Sequence, residues 1–435
     1  MLEKLFQLSV HGTDIRTEAV AGLTTFLTAA YIIFVHPDIL SATGMDRGAL
    51  TTITCLVAAG ATLLIALWAN APLMMAPGMG LNAFFTYSIV LTQGIPWQTA
   101  LGVVFLSGIF FLVLTWAGIR EKIVRAIPLS LRIAAAVGIG LFIAFIGLKN
   151  LGIIVRNDAV IVGLGAFTPQ ALLGLGGLLL AVILEIRKIR GAILISIIAT
   201  TMAGILCGLV PMPDAIVSIP PSPAPIMFKL DIAGAFSLSL FSAIFSFMFV
   251  DLFDSLGTML AVCREAGMAD EKGEIAKLPQ MLTADAVATV GGALLGTSTT
   301  TTYIESASGV ADGGRTGLAS VFTAALFLLA VLFTPLIGIV PGFATAPALI
   351  IVGVFMMRGI SQINFYNFAD AAPAFLTFIM MPLTFSIANG LAFGFVSYVL
   401  IRLFAGRIRE CDPFLVGAAV LSAISLAEPY LTKLF

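Results

Sequence analysis

The sequence predicts an all-α membrane protein that crosses the bilayer many times, and three observations carry that reading. Of 435 residues, 60% are hydrophobic and 10% charged, whereas a soluble chain carries roughly 25% charged residues. The apolar residues fall in blocks of about 17–25, the length that crosses a hydrocarbon core. Stretches 97–118, 316–334 and 390–401 contain no charged residue at all. A buried soluble core does not produce so many charge-free blocks.

Hydropathy places fourteen segments at 17–40, 50–69, 74–93, 97–118, 131–149, 170–186, 191–209, 234–260, 280–296, 298–312, 316–335, 343–358, 372–388 and 390–405. A further apolar stretch, 413–427, is short and ends at Glu428-Pro429, which suits an interfacial or re-entrant helix. The amphipathic start has no apolar signal-peptide core and is expected to lie along the cytoplasmic membrane face. Basic residues accumulate in cytoplasmic loops. With the N-terminus inside, that side holds 17 of the 22 Lys and Arg residues. They include Arg120, Lys122, Arg125, Arg187, Lys188, Arg190 and Lys272. Outside lie Arg47, Lys149, Arg156 and Lys229, and Lys433 depends on the last stretch.

An odd number of segments per half inverts one half relative to the other. The third segment of each half is unusual. MMAPGMGLNAFFTYSIVLTQ is Gly-rich, and GTSTTTTYIESASGVAD is polar. Paired broken segments of this kind mark the midplane site of many secondary transporters. Thr299–Thr302 are β-branched and favour extended backbone. Pro77, Gly78 and Gly80 break the other segment, with a half-helix expected near Leu81-Asn82 and its partner near Glu305. Free N–H groups at two such half-helix starts hold acceptor atoms.

Carboxylates inside apolar segments are costly and mark function. Asp251 and Asp254 lie three apart in FSFMFVDLFDSLGTML, on adjoining parts of one helical face that Thr258 continues. Glu305 lies in the polar run, flanked by Thr302 and Ser306 as further candidates. No Lys or Arg occurs in either segment. Two carboxylates that accept N–H groups, backbone N–H donors, and rings at Phe84, Phe85, Phe249, Phe253 and Tyr303 suit a planar heterocycle. A titratable carboxylate also gives a route to proton coupling, with Asp254, Asp251 and Glu305 as candidates.

Other classes fit less well. Only His11 and His36 are present, so no HExxH or His-rich metal site exists, and no Walker A motif occurs. Cys55, Cys207, Cys263 and Cys411 lie too far apart for a metal or disulfide pattern. Neither an enzyme nor a metal or organic cofactor is expected. The net charge of −1 points to no nucleic-acid partner. A channel favours rings of repeated ligands, which this asymmetric chain lacks. An anion exchanger is expected to put neutral or positive groups where Asp254 and Glu305 stand. Another small solute, such as uracil or xanthine, remains an alternative on the same scaffold.

Over nearly its whole length the chain resembles the AzgA-like purine permeases of the nucleobase:cation symporter superfamily. The stretches that carry the resemblance are HGTDIRTEAVAGLTTFLTAAYIIFVHPDIL, NAPLMMAPGMGLNAFF, FSFMFVDLFDSLGT, GTSTTTTYIESASGVADGGRTGL and PAFLTFIMMPLTFSIANG. The resemblance implies uptake of adenine, guanine or hypoxanthine with protons across the cell inner membrane. It implies fourteen spans in two inverted repeats, 1–210 and 211–435, and leaves 413–427 over. A core domain would comprise 17–118 and 234–335, and a gate domain 131–209 and 343–405. Asp254 and Glu305 match acidic substrate ligands, and Gly80 and Asn82 match binding positions. A homodimer is implied by family likeness alone.

Overall fold

The computed structural model describes residues 2–118, 126–213, 215–237, 240–270 and 274–431. Arg120, Lys122, Arg125, Lys272 and Lys433, all used for the orientation argument, lie outside them. Among the described residues, ten helices are long and apolar enough to cross a membrane. Shorter helices occupy the expected segments at 74–93, 191–209, 298–312 and 372–388.

Local sequence explains the helix ends. Asp14 and Asp46 cap the first two long helices, accepting the N–H of Thr17 at 2.8 Å and of Ala49 at 2.7 Å. Such caps satisfy N–H groups that the first turn leaves without partners. The expected segment 17–40 is two helices, Ile15–Ala29 and Ile32–Ser41, joined by a turn at Ala30-Tyr31. The expected segment 234–260 starts later. A short turn, Ile232–Ala235, precedes the long helix Phe241–Glu265. The hydropathy window ran the two together because both are apolar.

The two unusual segments cross at the centre of the molecule. Strand β1 (Met75–Pro77) precedes a short α-helix, Met79–Ala83, that runs on as a π-helix, Phe84–Thr92. An exposed hairpin, β2 (Ile154–Asn157) with β3 (Ile161–Leu164), lies between the fifth and sixth segments. Sequence reading took that region as plain loop. Its β-branched runs flanking Asp158 are a hairpin signal that a hydropathy window averages away. Strand β4 (Thr300–Thr302) precedes the six-residue helix Ser306–Ala311 and pairs antiparallel with β1, Met75 opposite Thr302 and Pro77 opposite Thr300.

The two crossings repeat one construction. Helix Arg47–Ala69 ends at left-handed Asn70 (φ 49°), and helix Leu278–Leu295 ends at left-handed Gly296 (φ 97°). Each helix then lends a threonine to the strand that follows it. The Thr62 hydroxyl donates to the Met75 carbonyl at 3.1 Å and accepts its N–H at 3.0 Å. The Thr289 hydroxyl does the same for Thr300, at 3.1 and 3.3 Å. Backbone groups of three-residue strands are thereby satisfied inside an apolar surround, where an unmet one is expensive.

Helices Ile32–Ser41, Arg47–Ala69, Phe241–Glu265 and Leu278–Leu295 pack on these strands; Trp97–Trp116 and Gly317–Ala330 pack on those helices, and Ile15–Ala29 on Gly317–Ala330. A second group, Leu129–Asn150, Gly342–Met357, Phe368–Thr384 and Ile387–Phe404, packs on itself. Backbones approach closely there. A Cβ on Gly140 would lie 2.8 Å from the Gly353 carbonyl oxygen. The stretch after residue 412 is one helix, Pro413–Leu431, lying against Ile387–Phe404.

Candidate functional site

Asp254 comes from the middle of helix Phe241–Glu265, and Glu305 sits just before helix Ser306–Ala311. Helix Phe241–Glu265 packs on both strand β4 and helix Ser306–Ala311, so the two carboxylates stand on neighbouring elements. Both are half-buried. Glu305 does not cap its own helix with its side chain. Instead, Oε1 accepts the Tyr31 hydroxyl at 2.6 Å.

Asp251, one turn earlier, is in a different place. It is 1% exposed and faces the interior of its helix bundle. The Ser255 hydroxyl lies 3.2 Å from Asp251 Oδ1 and 2.8 Å from Asp285 Oδ1, and Thr289 Oγ1 lies 3.3 Å from Asp251 Oδ2. Asp285, itself fully buried, was not singled out from the sequence, although it stands in an apolar segment like the others. Buried Glu18 was missed in the same way. Its oxygens accept the N–H of Arg315 and of Ala319, both at 2.9 Å, at the start of helix Gly317–Ala330.

The remaining candidates lie in the frame behind the two carboxylates. Asn82 is fully buried; its amide nitrogen donates to the Pro77 carbonyl at 3.3 Å, and its oxygen accepts from Ser298. The Ser306 hydroxyl donates to the Tyr303 carbonyl at 2.7 Å and accepts the Met74 N–H at 2.9 Å. Thr302 is 3% exposed, with its N–H 3.4 Å from Ser255 Oγ. Gly80 is buried where a Cβ would collide with Ile139 Cγ2 of the second helix group. His36 is clamped between the hydroxyls of Thr54 at 2.7 Å and Thr297 at 2.8 Å.

Two expectations need correction. The N–H groups of Ser306, Ala307 and Ser308 are not free. They bond the carbonyls of Tyr303, Ile304 and Glu305 at 3.2, 2.9 and 3.0 Å, because the strand enters the helix through a tight turn. Of the five rings named for stacking, Phe84, Phe85, Phe249 and Tyr303 are buried, and only Phe253 is half-buried. Phe84 packs on Phe247 at 4.8 Å, Phe249 packs on Phe395 at 5.1 Å, and the Tyr303 hydroxyl donates to the Pro77 carbonyl at 2.6 Å.

Known proteins place this geometry in a family. The profile named Xan_ur_permease, described as a permease family, matches residues 16–393. A putative permease, MJ0326, of Methanocaldococcus jannaschii is 50% identical over 424 residues, which cover 97% of each chain. Adenine permease AdeP of Escherichia coli is 46% identical, covering 98% of this chain and 96% of its own. Guanine/hypoxanthine permease PbuG of Bacillus subtilis is 43% identical, covering 97% and 98%. Among solved structures, the transmembrane domain of the cyanobacterial bicarbonate transporter BicA superposes with TM-score 0.67 at 15% identity, covering 86% of this chain and 96% of that one. That likeness concerns the fold, and the relatives are permeases rather than enzymes. With a family profile spanning most of the sequence and relatives matched nearly end to end, the chain is a multi-pass membrane transporter that belongs to the Xan_ur_permease family of permeases.

Proposed function

We propose that the chain imports purine nucleobases (adenine, guanine or hypoxanthine) together with protons. The observation that carries this reading is the pair Asp254 and Glu305, half-buried on neighbouring elements beside strand β4. A purine base presents N–H donors on more than one edge, and two carboxylates on separate elements accept them. Phe253 offers its ring beside the pair. The relatives AdeP and PbuG, named for adenine and for guanine/hypoxanthine, support the same substrate class. An anion such as bicarbonate would be repelled by two carboxylates.

In this reading fourteen segments form two inverted repeats of seven, and the threonine-bridged crossings are their matching centres. The helices around the strands act as the core and the second group as the gate. A purine enters from outside between them. Asp254 and Glu305 accept its N–H groups, a proton rides on Asp254 or Asp251, and the core shifts against the gate to open the site inside. The N-terminus is cytoplasmic.

The test is uptake of labelled adenine by a strain lacking its own purine permeases. Unlabelled guanine, hypoxanthine, xanthine and uracil serve as competitors, with and without a protonophore. Uptake that collapses with the protonophore and is blocked by purines but not by uracil is expected. If a well-expressed protein takes up no base, and none competes, the purine reading fails.

A further inference from the structure

A glutamate side chain has several soft torsions, and fixing it costs up to about 2 kcal/mol of rotamer freedom. A binding carboxylate works best when the protein has met that cost before the ligand arrives. Glu305 stands at the start of a six-residue helix, which is a poor mount by itself.

The first segment supplies the rest of the mount. At the far end of helix Ser306–Ala311, Thr24 donates to Asp312 Oδ2 at 2.6 Å. In the middle, Gly309 lets the two backbones touch: a Cβ there would run into the Ala21 carbonyl and the Thr25 hydroxyl. At the near end, the Thr28 hydroxyl lies 3.5 Å from the Glu305 carbonyl, and Tyr31 reaches the carboxylate itself. Tyr31 falls in the turn between the two helices of the segment, and its hydroxyl reaches across to Glu305. The ring is 1% exposed, and rigid packing holds the hydroxyl still. An ionised carboxylate has about four acceptor sites, and Tyr31 uses one of them.

We propose that Tyr31 is the positioning residue of the substrate site: its hydroxyl fixes the Glu305 carboxylate so that the remaining lone pairs meet the N–H groups of the purine. This rests on the purine reading and adds a residue that touches no substrate. A buried tyrosine hydroxyl needs some partner; here that partner is the half-buried Glu305 carboxylate.

The experiment is Tyr31→Phe, which keeps the ring and removes the hydroxyl. Uptake kinetics are measured with a purine that the wild type transports, in the permease-deficient strain. Melting temperatures of the purified proteins are measured with and without that purine. Loss of a hydrogen bond to a charged group predicts that KM rises about tenfold or more. Vmax per molecule at the surface stays within about twofold, and the ligand-free melting temperature is unchanged. The melting-temperature rise caused by purine shrinks. Thr28→Val, which removes the 3.5 Å contact together with hydroxyl contacts to the Thr24 and Thr25 carbonyls of its own helix but leaves the Glu305 carboxylate's partner in place, leaves KM as in the wild type. An unchanged KM in Y31F overturns the proposal, and so does a variant that fails to reach the membrane, since the hydroxyl would then serve folding. Failure of the wild type to take up any purine removes both the site and its positioning residue. Wild-type uptake with an unaffected Y31F removes Tyr31 alone.

Discussion

Gly80 shows how much hangs on one missing side chain. It sits where the strand-bearing group touches helix Leu129–Asn150, and a methyl there would collide with Ile139 Cγ2. Gly80→Ala is therefore expected to cut purine uptake severely without loss of expression. Gly80→Ala combined with Ile139→Ala, which removes the colliding carbon, should recover a large part of it. Uptake assays on the single and double variants check this; if the double variant stays as poor as the single, the glycine serves something other than the helix contact. Asp254 and Glu305 were legible in the sequence because an ionisable residue in an apolar run stands out. Asp285 and Glu18 also stand in apolar segments and were not singled out; the first stands alone in its segment and the second at the edge of its own. Tyr31 carried none, since an aromatic residue in an apolar segment looks like ordinary packing.

At the scale of elements, the broken segments were readable from Pro77, Gly78 and the threonine run, and strands β1 and β4 lie at those places. What the sequence did not show is how the strands are held. Thr62 and Thr289 look like any hydroxyl in a helix, and only their place beside Met75 and Thr300 reveals that each bridges a strand's N–H and carbonyl. The helix–helix contacts were equally hidden, because glycine serves both tight crossings and lipid-facing surfaces. Gly140 lies against the backbone of Gly353, whereas a Cβ on Gly176 would meet nothing within 4 Å. Small residues of the first kind let membrane helices approach. Gly140→Val should lower the melting temperature and the yield of purified protein, and Gly176→Val should leave both near wild type. Equal effects from the two would contradict the packing described here.

For the whole molecule, charge distribution in the loops sets the orientation, and the exposed β2–β3 hairpin gives a handle on it. Arg156 in that hairpin lies outside if the N-terminus is inside, while Lys188 lies inside. With Cys207, which is exposed, first replaced by serine, a cysteine at Val160 should react with an impermeant thiol reagent in intact cells. A cysteine at Lys188 should react only after permeabilisation; the reverse pattern would invert the topology.

The central claim is that two carboxylates, one on helix Phe241–Glu265 and one at the start of helix Ser306–Ala311, hold one purine. It is tested most directly by Asp254→Asn and Glu305→Gln, each assayed for labelled purine uptake alongside its abundance in the membrane. Removing one charged hydrogen-bond partner costs about 1.5–3 kcal/mol, or tens-fold in affinity. Each variant is therefore predicted to reach the membrane at wild-type levels and to lose all or nearly all uptake. Normal uptake by both would contradict the account and move the binding site away from the strand crossing.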